Sequence, residues 1–126
     1  MEQALQLARL AEREGEVPVG AVIVKNNQII GSGYNQKEKH KLITNHAELI
    51  AITKSAVFLN NWRLNDCTLY TTLEPCLMCA GAIYQARFEE LIYGTKDPKA
   101  GAVVIGEVKA QKDYNNLGIE VGEVKL

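Results

Sequence analysis

Two cysteines three positions apart, Cys76 and Cys79, directly follow a proline, and a histidine, His46, stands thirty positions upstream and two residues before a carboxylate, Glu48. This spacing constrains the fold more than any other feature of the chain. Pro75 suits the first turn of a helix, because its fixed φ and missing N–H cost nothing there. Two cysteines at i and i+3 on that helix point the same way. Asn45 is a good N-cap for a second helix, with Glu48 at the N3 position of a capping box. If the four residues act together, the fold has to bring two helix starts to one point.

Converging, those starts offer one nitrogen and two sulfurs. Three protein ligands leave a fourth position for water, the arrangement of a catalytic zinc site. Zinc lowers the pKa of such a water from about 15.7 to about 7. The helix N-terminus favours negative charge and so thiolate ligation by Cys76 and Cys79. Glu48, beside the ligand His46, is placed to take a proton from the water and hand it on without touching the metal. H-x-E followed by P-C-x-x-C is the signature of zinc-dependent nucleobase deaminases. Each residue also has a plainer reading. Glu48 can simply cap its helix, His46 can be a hydrogen-bonded histidine, and Cys76 and Cys79 can form a redox pair. They can also share a structural zinc with the third cysteine, Cys67. Against the last, Cys67 opens a strand that ends near Leu73, and six strand steps span roughly 20 Å. Cys67 is expected at the other end of the sheet, as a packed core thiol.

The 126 residues suffice for one domain with a core, and 47% hydrophobic content implies an ordered globule. No apolar run approaches the roughly 18 residues needed to span a bilayer, and no signal peptide opens the chain. An odd cysteine count with one C-x-x-C suits a reducing compartment, hence a cytoplasmic protein. A net charge of −1 argues against a general polyanion binder. The local cluster Lys37, Lys39, His40 and Lys41 reads on its own as a solvated surface.

In chain order, Glu2 to Glu14 has helical apolar spacing at Ala4, Leu7, Ala8 and Ala11, with Gly15 as its stop. Val19 to Lys25 reads as a covered strand, Asn26-Asn27 as a turn tolerating positive φ, and Ile29 to Tyr34 as the antiparallel partner. Gly31 and Gly33 there allow close approach of a backbone or a ligand. Gln36 to Thr44 is expected to be a loop, followed by a helix to about Phe58 that Asn60-Asn61 breaks. Cys67 to Leu73 is a strand, the Pro75 helix runs to about Phe88, and Glu90 to Tyr93 is a strand parallel to the previous one if the helix is a crossover. Lys96 to Ala100 is a loop, Val103 to Val108 a short helix or strand, and Ile119 to Val124 a last strand. The order α-β-β-α-β-α-β-β predicts an α/β domain, three layers (α/β/α) around a mixed five-stranded sheet.

At these residues the sequence resembles the bacterial tRNA-specific adenosine deaminases, within the cytidine deaminase superfamily. The resemblance rests on Glu16-Val17-Pro18-Val19-Gly20-Ala21-Val22, Gly33-Tyr34-Asn35, His46-Ala47-Glu48 and Thr68-Leu69-Tyr70. It continues through Thr72-Leu73-Glu74-Pro75-Cys76-Leu77-Met78-Cys79-Ala80-Gly81-Ala82 and Gly94-Thr95-Lys96-Asp97-Pro98-Lys99-Ala100-Gly101. It implies the cytidine-deaminase-like fold and one Zn2+ per chain held by His46, Cys76 and Cys79, with Glu48 shuttling protons. It implies that Asn35 hydrogen-bonds the base and that Val22 and the backbone around Ala47, Leu73, Glu74 and Pro75 form the pocket. It implies a homodimer that converts adenosine to inosine at the wobble position of a tRNA anticodon. Lys96, Asp97 and Lys99 would then face RNA, where a base in an anticodon loop is unstacked at little cost.

The chain departs from the family at Asn45, where alanine is usual, and Asn116-Leu117-Gly118-Ile119 only partly echoes the family's N-H-R-V. Residues 1–126 are expected to be one deaminase domain without the charged C-terminal helix with which the family usually continues. Ile83-Tyr84-Gln85-Ala86-Arg87 also resembles small-molecule guanine deaminases. Two alternatives therefore stand beside the RNA-editing reading: a deaminase of a free base or nucleoside, and a non-catalytic zinc-stabilised binding module.

Overall fold

The computed structural model describes residues 1–101 and the strand Glu120–Glu123. The expectations for Val103 to Val108 and for Asn116 to Ile119 lie outside the described residues. The elements run α1 (Glu2–Arg13), β1 (Gly20–Lys25), β2 (Gln28–Tyr34), α2 (Lys37–His40), α3 (Ala47–Leu59), β3 (Cys67–Leu73), α4 (Leu77–Ala86), β4 (Glu90–Thr95) and β5 (Glu120–Glu123).

The sheet order is β2-β1-β3-β4-β5. β1 pairs antiparallel with β2 through a two-residue turn in which Asn26 and Asn27 have φ of 51° and 60°. That double positive φ matches the twist of a tight hairpin, and asparagine tolerates it. β1 also pairs antiparallel with β3, while β3–β4 and β4–β5 are parallel, so the sheet is mixed. One consequence fixes the site. The carboxyl ends of β2, β3 and β4 and the amino end of β1 all lie along the same edge of the sheet.

α1 covers one face through Ala4, Ala8 and Ala11, and α3 and α4 cover the other. The glycines of β2 bring α3 in close. A Cβ on Gly33 would fall 2.7 Å from the Ala47 carbonyl oxygen, and one on Gly31 would collide with Ser55 Oγ. It is a helix backbone, not a ligand, that uses this space. The core between sheet and α3/α4 is built on Ile23, Leu64, Leu69, Ile83, Phe88 and Leu91, all fully buried. Each contributes about 1.5–3 kcal/mol of apolar burial.

Three local expectations need correction. Gln36 to Thr44 is not all loop, because Lys37–His40 forms a helical turn. The Glu16 carboxylate accepts the N–H groups of Glu38 (3.0 Å) and Lys39 (2.8 Å), a long-range cap that local sequence does not reveal. The N-cap of α3 is His46, not Asn45, so Glu48 is not at N3 and forms no capping box. Pro75 lies one residue before the N-cap of α4, which is Cys76, and the helix stops at Ala86 because Arg87 turns left-handed with φ 67°. Among the described residues no helix is long and apolar enough to cross a membrane.

Candidate active site

The two metal-binding segments enter at equivalent points. His46 and Cys76 are the N-caps of α3 and α4, both extended, with ψ of 148° and 175°. Cys79 follows three residues on, inside the first turn of α4. His46 Nδ1 lies 3.6 Å from Cys76 Sγ and 3.5 Å from Cys79 Sγ. Tetrahedral zinc with bonds of about 2.3 Å to sulfur and 2.0–2.1 Å to nitrogen requires a nitrogen–sulfur separation of about 3.5 Å. The three donor atoms all lie within 4.8 Å of one another. The donor set therefore fits one zinc ion per chain in both chemistry and size.

Electrostatics favour the same arrangement. A hydrogen bond from Cys79 lowers the Cys76 thiol to about 5, with help from the main-chain N–H groups of Cys79 and Met78 and from His46. Cys79 moves upward, because its thiol is the donor in that hydrogen bond, and burial adds to this. Cys67 is fully buried at the far end of β3 and lies outside the donor cluster. Burial raises its thiol. It is a core thiol and not a fourth ligand.

Glu48 is 4% exposed on the first turn of α3. Burial pushes its carboxyl up to about 7, opposed by a hydrogen bond from its own main-chain N–H. Asn35, just past the carboxyl end of β2, turns its Oδ1 to the Ala47 N–H at 2.8 Å. This satisfies a donor that the helix start would otherwise leave open.

These side chains open onto a cavity of about 140 Å³ lined by Val17, Val19, Asn35, Lys37, His46, Glu48, Leu73, Glu74, Cys76, Asp97 and Ala100. It is smaller than the roughly 300–1,000 Å³ of pockets for drug-sized ligands, so it suits a single ring system. Cys79 sits behind the wall and is fully buried. Ala47 and Pro75 back the site without lining it. Lys96 and Lys99 are exposed on the loop that carries Asp97. Val22 is the residue sequence misplaced. It lies against Leu7 and Leu10 of α1 on the opposite face of the sheet. Val19, at the amino end of β1, occupies the site edge instead. Strand direction was the available signal, because a strand antiparallel to β3 must begin where β3 ends.

A larger hollow, about 700 Å³, lies on the outer side of α4 between Trp62, Leu77, Met78, Gly81 and Tyr84, away from the metal cluster.

Residues 1–95 match the family model described as the cytidine and deoxycytidylate deaminase zinc-binding region. The chain is similar to a tRNA-specific adenosine deaminase of Bacillus subtilis (strain 168), with 46% identity over 80% of this chain and 63% of that protein. It is also similar to one of Haemophilus influenzae, with 49% identity over 82% of this chain and 60% of that protein. It spans about three fifths of the length of the curated relatives it matches. A solved structure from studies of A-to-I editing by tRNA:A34 deaminases at the wobble position of transfer RNA superposes with a TM-score of 0.88. It has 38% identity, over 98% of this chain and 95% of that one. A guanine deaminase from Bacillus subtilis superposes at 0.73, with 43% identity over 75% of this chain and 61% of that one.

Proposed function

The chain belongs to the cytidine and deoxycytidylate deaminase family of zinc-binding domains, and from that premise we propose that it hydrolyses adenosine to inosine at the wobble position of a tRNA anticodon. The observation that carries the deaminase chemistry is the His46–Cys76–Cys79 cluster beside a buried Glu48 in one small cavity. The substrate class follows from the likeness to tRNA-specific adenosine deaminases over four fifths of the chain.

Zinc held by His46, Cys76 and Cys79 would supply Lewis acidity and an activated water at neutral pH. Glu48 takes the proton from the attacking water as it adds to C6 of the base, then delivers it to the leaving amine, so adenosine and water become inosine and ammonia. Asn35 has its oxygen committed to Ala47, which leaves its amide N–H2 to donate to a ring nitrogen and fix the base. Leu73 and Val19 supply apolar walls, Lys37 lines the cavity, and Lys96 and Lys99 are exposed on the loop that carries Asp97, where a nucleic-acid backbone would pass. The enzyme acts in the cytoplasm as a homodimer. In support, all three described cysteines are free thiols. Trp62 (57% exposed) and Leu77 (63%) leave an apolar surface beside α4 uncovered in one chain.

The similarity to a guanine deaminase favours one second reading, a free-base substrate at the same site. The deciding experiment offers the zinc-loaded protein an anticodon stem-loop with a wobble adenosine, beside guanine, cytosine and cytidine. Inosine in the stem-loop alone is the expected result; ammonia from a free base instead overturns the RNA reading and keeps the chemistry. Glu48→Ala is expected to retain zinc and fold and to lose on the order of 10²–10⁴-fold or more in turnover. A wild-type rate in that variant would contradict the mechanism and favour a binding module.

A further inference from the structure

The loop from Lys96 to Gly101 contributes Asp97 and Ala100 to the cavity wall, and a buried side chain fastens it to the zinc-ligand segment. Glu74 is 2% exposed, two residues before Cys76. Its main-chain N–H donates to the Thr95 carbonyl at 2.8 Å, carrying the β3–β4 ladder one step past the strand end. Its Oε1 accepts the Asp97 N–H at 3.1 Å. Its other oxygen lies under Gly101, where a Cβ would fall 2.5 Å away. The loop is then closed on itself. Asp97 Oδ1 accepts the N–H groups of Lys99 (3.0 Å) and Ala100 (3.2 Å), and the Asp97 carbonyl accepts the Gly101 N–H at 2.9 Å. Gly101 in turn bridges to Cys76. An accepting side-chain oxygen is what a loop presenting its N–H requires.

We propose that Glu74 is a positioning residue, whose carboxylate sets the distance between the Lys96–Gly101 loop and the metal ligands and so the width of the cavity mouth. It acts through Asp97 and Gly101 and not on the reacting atoms. The inference rests on the deaminase reading of the same site for its effect on substrate, but the loop's attachment can be read without any substrate.

The test compares Glu74→Ala, Glu74→Gln and Gly101→Ala in the zinc-loaded full chain. Limited trypsin digestion followed by mass spectrometry reports cleavage after Lys96 and Lys99, with cleavage after Lys54 as the internal reference. Glu74→Ala is expected to raise nicking at the two loop bonds by roughly tenfold or more over the reference. It should also raise KM by on the order of tenfold, with a smaller change in kcat, because the mouth and not the chemistry is displaced. Glu74→Gln keeps an oxygen for the Asp97 N–H and should bring both readouts most of the way back. Gly101→Ala pushes the loop off an intact Glu74 and should reproduce the alanine phenotype, which carries the test if Glu74→Ala does not fold. Wild-type nicking and KM in Glu74→Ala, or in Gly101→Ala, overturns the proposal. So does a Glu74→Gln variant as defective as the alanine. If the wild-type chain deaminates neither the stem-loop nor a free base, the function reading fails, and the nicking comparison still decides the role of Glu74.

Discussion

The side-chain oxygen of Asn35 lies 2.8 Å from the main-chain nitrogen of Ala47, so the end of β2 caps the helix that carries His46 and Glu48. The cap and the proposed base contact use opposite ends of one amide, and substitution can separate them. Asn35→Ala should lose about 1 kcal/mol of stability, the usual worth of an N-cap. That is a fall of roughly 3–6 °C in Tm for a chain of this size. It should also lose on the order of tenfold in kcat/KM, one hydrogen bond's worth. Asn35→Asp keeps the acceptor and drops the donor. Its Tm should stay near wild type while kcat/KM remains low. Thermal unfolding and steady-state kinetics on the same preparations check both halves.

Glu16 does for α2 what Asn35 does for α3, but with a titratable group. Hydrogen bonds, first from the Glu38 N–H and then from the Lys39 N–H, hold its carboxyl below the ordinary value of 4.5. A carboxyl lowered on folding stabilises the fold above its unfolded pKa and loses that contribution as pH falls through the folded one. Protection of the Glu38 and Lys39 amides, relative to the intrinsic exchange rate at each pH, should therefore be high at neutral pH and fall only below about pH 4.5. In Glu16→Gln it should be low already at pH 7. Exchange followed by NMR or mass spectrometry reads this directly. Equal protection in the variant at pH 7 would show that α2 does not depend on the charge.

The three cysteines should separate cleanly on metal removal. Chelation at neutral pH should lower Tm, and added zinc should restore it, because metal bound only to the folded chain stabilises by mass action. Cys76→Ser and His46→Ala should fall well below one zinc per chain by atomic absorption. Cys67→Ala should keep a full equivalent and lose about 1–2 kcal/mol of stability, the loss of a packed core group. Zinc loss in Cys67→Ala would contradict its position at the far end of β3.

What sequence could and could not disclose divides along a physical line. Features set by neighbours in the chain were legible. The Asn26-Asn27 turn, the Gly15 and Asn60 helix stops and the full span of β3 all express local φ preferences or period-two patterning. The ligand trio was legible because metal geometry needs particular residue types at particular spacings. Features set by a partner far along the chain were not legible. α2 exists because Glu16 reaches it from more than twenty residues away. Asn45 has the better capping side chain, yet His46 takes the N-cap because Asn35 supplies the acceptor from another strand. Val22 and Val19 are equally apolar, and only the antiparallel course of β1 against β3 decides that Val19 meets the cavity. The role of Glu74 is of the same kind, since its partner Asp97 lies across a helix and a strand.

Charge at the loop beyond Glu74 distinguishes the two substrate readings. Lys96 and Lys99 are exposed beside a cavity with room for one ring system, so they can contact only what continues outward from the base. For an RNA substrate that is the phosphate chain. Replacing both with glutamate should weaken anticodon stem-loop binding. It should also flatten the dependence of log K on log salt by about 1.4, at ~0.7 for each single-strand phosphate contact. For a free base nothing charged extends past the cavity, and the double variant should keep its KM. Fluorescence anisotropy across a salt series, beside guanine deamination by the same protein, makes both measurements. A flattened slope with unchanged kcat on a pre-saturated stem-loop would assign the lysines to RNA capture. An unchanged slope would remove them from the interface and leave Lys37, across the mouth, as the remaining basic residue on the cavity wall.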